Sequence, residues 1–115
     1  MSLQINDIEI EHHALKYAPK WDRESRWIDG GYDTCEKIAF DLLFGVDNWN
    51  IRYKHVDNDY QGTTRILVQK TKEPEEGQFA EWVYFDYGWG SCSGCDTLEG
   101  SGVVEAVKMI MESKK

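Results

Sequence analysis

The hydrophobic period of this chain changes near Asp47, and nothing else in the sequence constrains the fold as strongly. Upstream, Cys35, Ile38, Ala39, Leu42, Leu43 and Val46 recur at the i, i+3, i+4, i+7 spacing of one helix face. Phe40 and Phe44 widen that face, so the spacing predicts a deeply packed helix over Asp33–Val46. Asp33 and Glu36 form a capping-box-like pair at its start, and Gly45 stands where it would stop. Downstream the pattern turns strand-like, in three runs: Asn50–Val56, Thr63–Lys70 and Phe79–Tyr87. The turn-rich link from Asp57 to Gly62 has hairpin length. In the second run Ile66 and Val68 share one side, and Arg65, Leu67 and Gln69 the other. The third run carries aromatics on both sides, Phe85 and Tyr87 on one and Trp82 and Tyr84 on the other, which predicts a central strand.

The flanks are less regular. Ile5, Ile8 and Ile10 sit among acids in a short apolar-polar pattern that reads as a strand or the start of a helix, and the isoleucine content favours the strand. Pro19 breaks whatever precedes it. Trp21–Tyr32, ending in the Gly30-Gly31 pair, reads as an ordered loop or short hairpin. Gly88–Gly102 is loop-like, and a last helix runs from about Ser101 to Ser113, with Val103, Val104, Val107, Ile110 and Met111 on its apolar face. The expected fold is one α+β domain over residues 1–115. It holds a three-stranded antiparallel sheet with two helices packed on one face, and the Ile pattern adds an extra N-terminal strand. That order coincides with the double-stranded-RNA-binding domain only in topology. The basic cluster which that domain carries at the start of its last helix is replaced by Gly100, Ser101, Gly102 and Glu105.

Charge narrows the partners. The 115 residues carry a formal net charge of −8, unevenly spread. Residues 1–47 sum to −5 and residues 48–72 to +3. Residues 73–107 hold eight acids and no Lys or Arg, and residues 108–115 sum to +2. The acidic balance disfavours nucleic acid and anionic lipid as general partners, firmly for residues 73–107 and weakly for the basic hairpin. No stretch approaches the ~20 apolar residues of a membrane span. No leader-like segment opens the chain, and three cysteines make an odd count, so the expected compartment is a reducing cytoplasm.

The most distinctive segment is Tyr87-Gly-Trp-Gly-Ser-Cys92-Ser-Gly-Cys95-Asp-Thr-Leu-Glu99. Three readings compete for Cys92 and Cys95. Two thiolates at this spacing can share a zinc ion, which needs four ligands; Cys35 and His55 are the candidates for the other two, with His12 or His13 as substitutes for His55. A pair at this spacing can also close a disulfide, but Asp96 and the acidic surroundings oppose thiolate formation. The third reading is structural: Gly and Ser permit a tight loop, and small Cys side chains pack beneath it. The single pair ranks the structural reading first and metal above thiol chemistry. Cys35, on the apolar helix face, fits an ordinary buried cysteine.

The string Tyr-Gly-x-Gly-Ser-Cys-Ser-Gly-Cys-Asp at residues 87 to 96 resembles a motif of small bacteriophage and prophage proteins to which no activity is assigned. In those proteins an aromatic strand runs into Tyr-Gly-Ser-Cys-Ser-Gly-Cys-Asp and then a helix. Here Trp89 and Gly90 stand between Gly88 and Ser91, a departure of two residues. The resemblance implies a phage-type origin and supplies no activity.

No nucleophile elbow, phosphate loop or His-Glu-x-x-His occurs, so the sequence makes no positive case for an enzyme. His12-His13 reads as an exposed polar patch. The hairpin combines Arg52, Lys54, Arg65, Lys70 and Lys72 with Tyr53 and Tyr60, a mixture that can hold a single strand by stacking; an ordinary amphipathic hairpin with Tyr in the core is the preferred explanation. Trp and Arg are enriched at interface hot spots, so Trp21, Trp27, Arg52, Lys54 and Trp89 are the candidate contact residues, although in so small a domain Trp is more often core filler. The expected function is a non-catalytic binding module. Its partner is another protein, with a homodimer through aromatic surface as one arrangement. The alternative is a zinc-binding or thiol-active protein using Cys92 and Cys95.

Overall fold

The computed structural model describes residues 7–21, 28–57, 62–71, 75–77, 81–89 and 102–115. Its elements in chain order are α1 (Asp7–Tyr17), α2 (Gly31–Phe44), β1 (Asn50–Asp57), β2 (Gly62–Gln69), β3 (Trp82–Trp89) and α3 (Val103–Glu112). The three strands form one antiparallel sheet in the order β1-β2-β3. The class is therefore α+β, as the change of period predicts.

Three expectations need correction. The N-terminal segment is a helix, not a strand. Ile10 and Ala14 are buried four residues apart, with Ala18 following at the same interval, while Ile8 is exposed. The Ile8–Ile10 alternation was too short to set the period, and Asp7 and Glu9 suit the positive end of a helix. Three helices are thus described rather than two. Nor is the aromatic run central. β2 lies between its neighbours, and β3 carries aromatics on both sides because its outward residues stay in solvent. The free edge of β3 is paired with the chain's end: Asp86 N donates to Ser113 O, Lys115 N to Tyr84 O, and Phe85 bridges to Lys114.

α2 begins two residues before Asp33. Gly30 precedes it at φ 85, and no side chain caps the start. A Cβ on Gly30 would meet Thr34 Oγ1 at 2.1 Å, so both the backbone angle and the space require glycine there. Thr34 Oγ1 instead donates to the Asp29 carbonyl. The helix ends at Gly45, φ 101, whose N–H reaches the Asp41 carbonyl.

The core lies between α2 and one side of the sheet, with α3 packed along α2. Ile66, Val68, Phe85 and Tyr87 are buried on the sheet side. Phe40 meets Phe85 at a ring-centroid separation of 4.9 Å and Trp49 at 5.3 Å. α3 buries Val103, Val107, Ile110 and Met111 as its spacing predicts, and Ala106 with them, while Val104 of the predicted face is only partly buried. α1 touches both α2 and α3, and Lys108 on α3 pairs with Asp7 at 2.6 Å. No described helix is long and apolar enough to cross a membrane.

Candidate interaction face and the polar cleft behind it

Strand alternation divides the sheet into an inner side and an outer side. Register places Lys54, Ile66 and Phe85 in one inner row, and Val56, Thr64 and Tyr87 in the next. The outer rows are Tyr53–Leu67–Tyr84, His55–Arg65–Asp86 and Asp57–Thr63–Gly88. A register shift between Ile51 and Tyr53 frees Arg52 from the ladder. Its guanidinium lies 5.7 Å from the ring centroid of Trp82, two strands away. Tyr53, Trp82 and Tyr84 expose 58%, 52% and 36% of their surface. Three aromatics and two arginines therefore meet solvent on one face.

That face is electrically balanced. Arg52 and Arg65 offset Asp57 and Asp86, with Arg65 Nε 3.9 Å from Asp86 Oδ2. At its Trp82 end Lys70 pairs with Glu81 at 3.0 Å. A chain of net charge −8 thus presents an aromatic surface without the excess.

Behind the sheet, a cleft of about 280 Å³ opens between the start of α2 and the β1–β2 strands, reaching Tyr32, Val56 and Thr64. At its floor Glu36, almost wholly buried, accepts from Lys54 Nζ at 2.6 Å and from the Tyr87 hydroxyl at 2.5 Å. Lys54 also donates to Asp33 Oδ1 at 2.6 Å. Burial raises the Glu36 carboxyl above its ordinary range, and the Lys54 and Tyr87 hydrogen bonds oppose that rise. Burial works against the Lys54 ammonium as well, but Asp33 and Glu36 outweigh it and raise its pKa. Burial and the Glu36 charge hold the Tyr87 hydroxyl protonated. Both Glu36 oxygens are occupied, so the group clamps α2 to the sheet.

A second buried acid joins α1 to α2. The Asp41 side chain is fully buried and accepts from the Tyr17 hydroxyl, from Trp49 Nε1 at 2.7 Å and from the Asp47 N–H at 3.2 Å. His13 lies half-buried with Nδ1 3.9 Å from Asp41 Oδ2, so it belongs to this contact rather than to an exposed patch.

The sequence candidates fall as follows. Arg52 is on the outer face. Lys54 points inward and is committed to Asp33 and Glu36. Trp21 packs against the core. Trp89 ends β3, and its side chain lies outside the described residues, as do Trp27, Cys92 and Cys95. Cys35 is fully buried, and burial first, then the Glu36 charge, push its thiol up to about 12. His55 is exposed on the outer face, so the sheet stands between it and Cys35. Among the described residues no group of three or more His, Cys, Asp or Glu comes together to hold a metal ion. Sequence reasoning missed Asp41 and the inward turn of Lys54. It also missed Glu36 as a buried group, although a Glu beside Cys35 on an apolar helix face was a signal that it needed a cation. No family model, curated protein or solved structure matches the chain.

Proposed function

We propose that the chain is a non-catalytic interaction module that docks another protein on the outer face of its sheet. The observation that carries this reading is the exposed group Tyr53, Trp82, Tyr84 and Arg52, on a face whose charges cancel. Aromatics and arginine dominate interface hot spots, and a neutral centre is what a protein partner desolvates at least cost. Charge neutrality also removes the general attraction a polyanion would need. Because α1 and α3 both pack on α2, we read the helices as gathered on the inner side. The Glu36 cleft supports the non-catalytic part, since its carboxylate is already spoken for by Lys54 and Tyr87. The motif likeness at residues 87 to 96 supports a phage-type origin, with the host cytoplasm as the place of action.

The test separates contact from folding. Combining Tyr53→Ser, Trp82→Ser and Tyr84→Ser should leave a cooperatively folded protein, each change costing less than about 1 kcal/mol, the span of exposed strand preferences. Phe85→Ala, one strand position from Tyr84, should cost about 3–5 kcal/mol. A triple variant that unfolds like Phe85→Ala would show that the face is core and overturn the reading.

A further inference from the structure

We infer that the open edge of β1 takes up an extended segment of another protein, which adds to the sheet as a fourth strand and places one large apolar side chain in the Glu36 cleft. The site is the edge and inner side of β1, so it goes beyond the outer-face reading and either can fail alone. The two edges of the sheet are treated differently. The β3 edge is closed by the chain's own end, through the backbone pairs of Asp86, Lys115 and Phe85. β1 pairs with β2, and among the described residues nothing pairs with its other edge. Alternate N–H and C=O groups of β1 therefore point away from the sheet, the template to which an extended chain adds. Past the shift at Arg52 the register is regular from Tyr53 to Asp57, which gives the added strand a straight stretch to follow.

The helix layer stops short of the same edge. α3 approaches the backbone of β3, and no helix comes as near to β1. On the inner side Thr64 and Val68 of β2 are buried, while their β1 partners Val56 and Ile51 are 41% and 40% exposed. A strand laid beside β1 points alternate side chains the same way and covers both. Along the inner row Tyr87–Thr64–Val56 the first two residues are buried and the last is not, so the cleft opens at the β1 edge. Its volume of about 280 Å³ lies just below that of drug-sized ligand pockets, which suits one side chain rather than a whole ligand. Tyr32, Val56 and Tyr87 line it with ring and alkyl carbon, so the side chain it takes is large and apolar. An inward charge is one way that edges are kept from pairing, and Lys54 points inward. Glu36 and Asp33 each hold its ammonium at 2.6 Å, so it does not repel an apolar segment. A second β1 offers no aromatic on its inner side, only Ile51, Lys54 and Val56, with Lys54 tied to its own Glu36; that leaves the cleft to a different chain.

The probe is the capped peptide Val-Glu-Val-Lys-Phe-Glu-Val-Lys, whose apolar residues all fall on one side of a strand with Phe in the interior. Backbone NMR of the full chain, titrated with this peptide to about 1 mM, reads shifts and amide exchange residue by residue. Shifts and new protection should centre on Tyr53–Asp57 and on the cleft residues Tyr32 and Thr64. Replacing the peptide's Phe by Ala should weaken binding about tenfold, the loss of one buried ring. Two further peptides carry N-methyl groups on alternate nitrogens, one for each set. One should lose binding and the other keep it, because a strand bonds to an edge through one set only. Val56→Lys, at an exposed position, should weaken binding about tenfold while circular dichroism shows an unchanged fold. No shifts at about 1 mM, or two N-methylated peptides that behave alike, would overturn the edge site. Shifts centred on Trp82 and Tyr84 would also overturn it and would place the peptide on the outer face. Protection of Tyr53–Asp57 that grows with protein concentration in the absence of peptide would assign the edge to a second copy and overturn the different chain as occupant.

Discussion

Replacing Lys54 by Met removes the cation that neutralises a buried carboxylate while keeping most of the side-chain stem. The Glu36 side chain is 2% exposed and the Lys54 side chain 24%. Removing one partner of a fully buried pair costs about 3–5 kcal/mol. Lys54 reaches solvent through the cleft, and Tyr87 still donates to Glu36 in the variant. Those two facts discount the cost to about 2–3 kcal/mol near pH 8. In a chain of this size that lowers the melting temperature by about 8–12 °C. The pH dependence carries the sharper signature. Burial already raises the Glu36 carboxyl, and without Lys54 it must rise further. A carboxyl raised in the folded state contributes stability below its unfolded pKa, and that contribution is lost as pH rises through the folded value. The gap between wild type and Lys54→Met should therefore be widest near pH 8 and close as pH falls toward about 4, where Glu36 is protonated in both proteins. Urea unfolding at five pH values, followed by circular dichroism, measures it. A gap below about 0.5 kcal/mol, the scatter of surface substitutions, or a gap that does not change with pH, would refute the claim that Lys54 neutralises Glu36.

Cys35 offers two simpler checks. Its buried thiol, pushed up to about 12, should resist iodoacetamide at pH 8 in the folded protein and react in denaturant; peptide mass spectrometry reads the difference. Cys35→Ser places a hydroxyl in that apolar site and should cost about 1–3 kcal/mol by denaturant titration, an unsatisfied buried polar group being the cause.

The elements that were legible from sequence are those whose period extends over several turns or alternations. α2 and α3 each bury a continuous apolar face and β2 buries Ile66 and Val68, so spacing located them; β1, which has no buried residue, was placed by its turn-rich link to β2. The N-terminal helix was missed because its buried side consists of Ile10 and Ala14, with Ala18 just past its end, and small residues leave almost no periodic signal. The position of β3 was missed for the opposite reason. Its aromatics suggest burial on both sides, yet Trp82 and Tyr84 stand in solvent, and aromatic content alone cannot tell a core strand from a contact surface. The contact surface itself was half legible. Arg52 was singled out, but its placement over Trp82 depends on the register shift beside Ile51, and pairing register is a tertiary property. Lys54 looked like a surface cation because a strand pattern does not say which side meets the helix. The Asp33–Glu36 pair looked like a helix cap, whereas both carboxylates are drawn instead to the Lys54 ammonium.

Hydroxyl-radical footprinting read by mass spectrometry tests the central claim most directly, because it reports side-chain exposure residue by residue in solution. In dilute protein Tyr53, Trp82 and Tyr84 should label readily, while Phe40 and Phe85 stay unlabelled. Tyr53, Trp82 and Tyr84 protected as fully as Phe85 in the dilute monomer would mean that the outer face is covered, and would contradict the account.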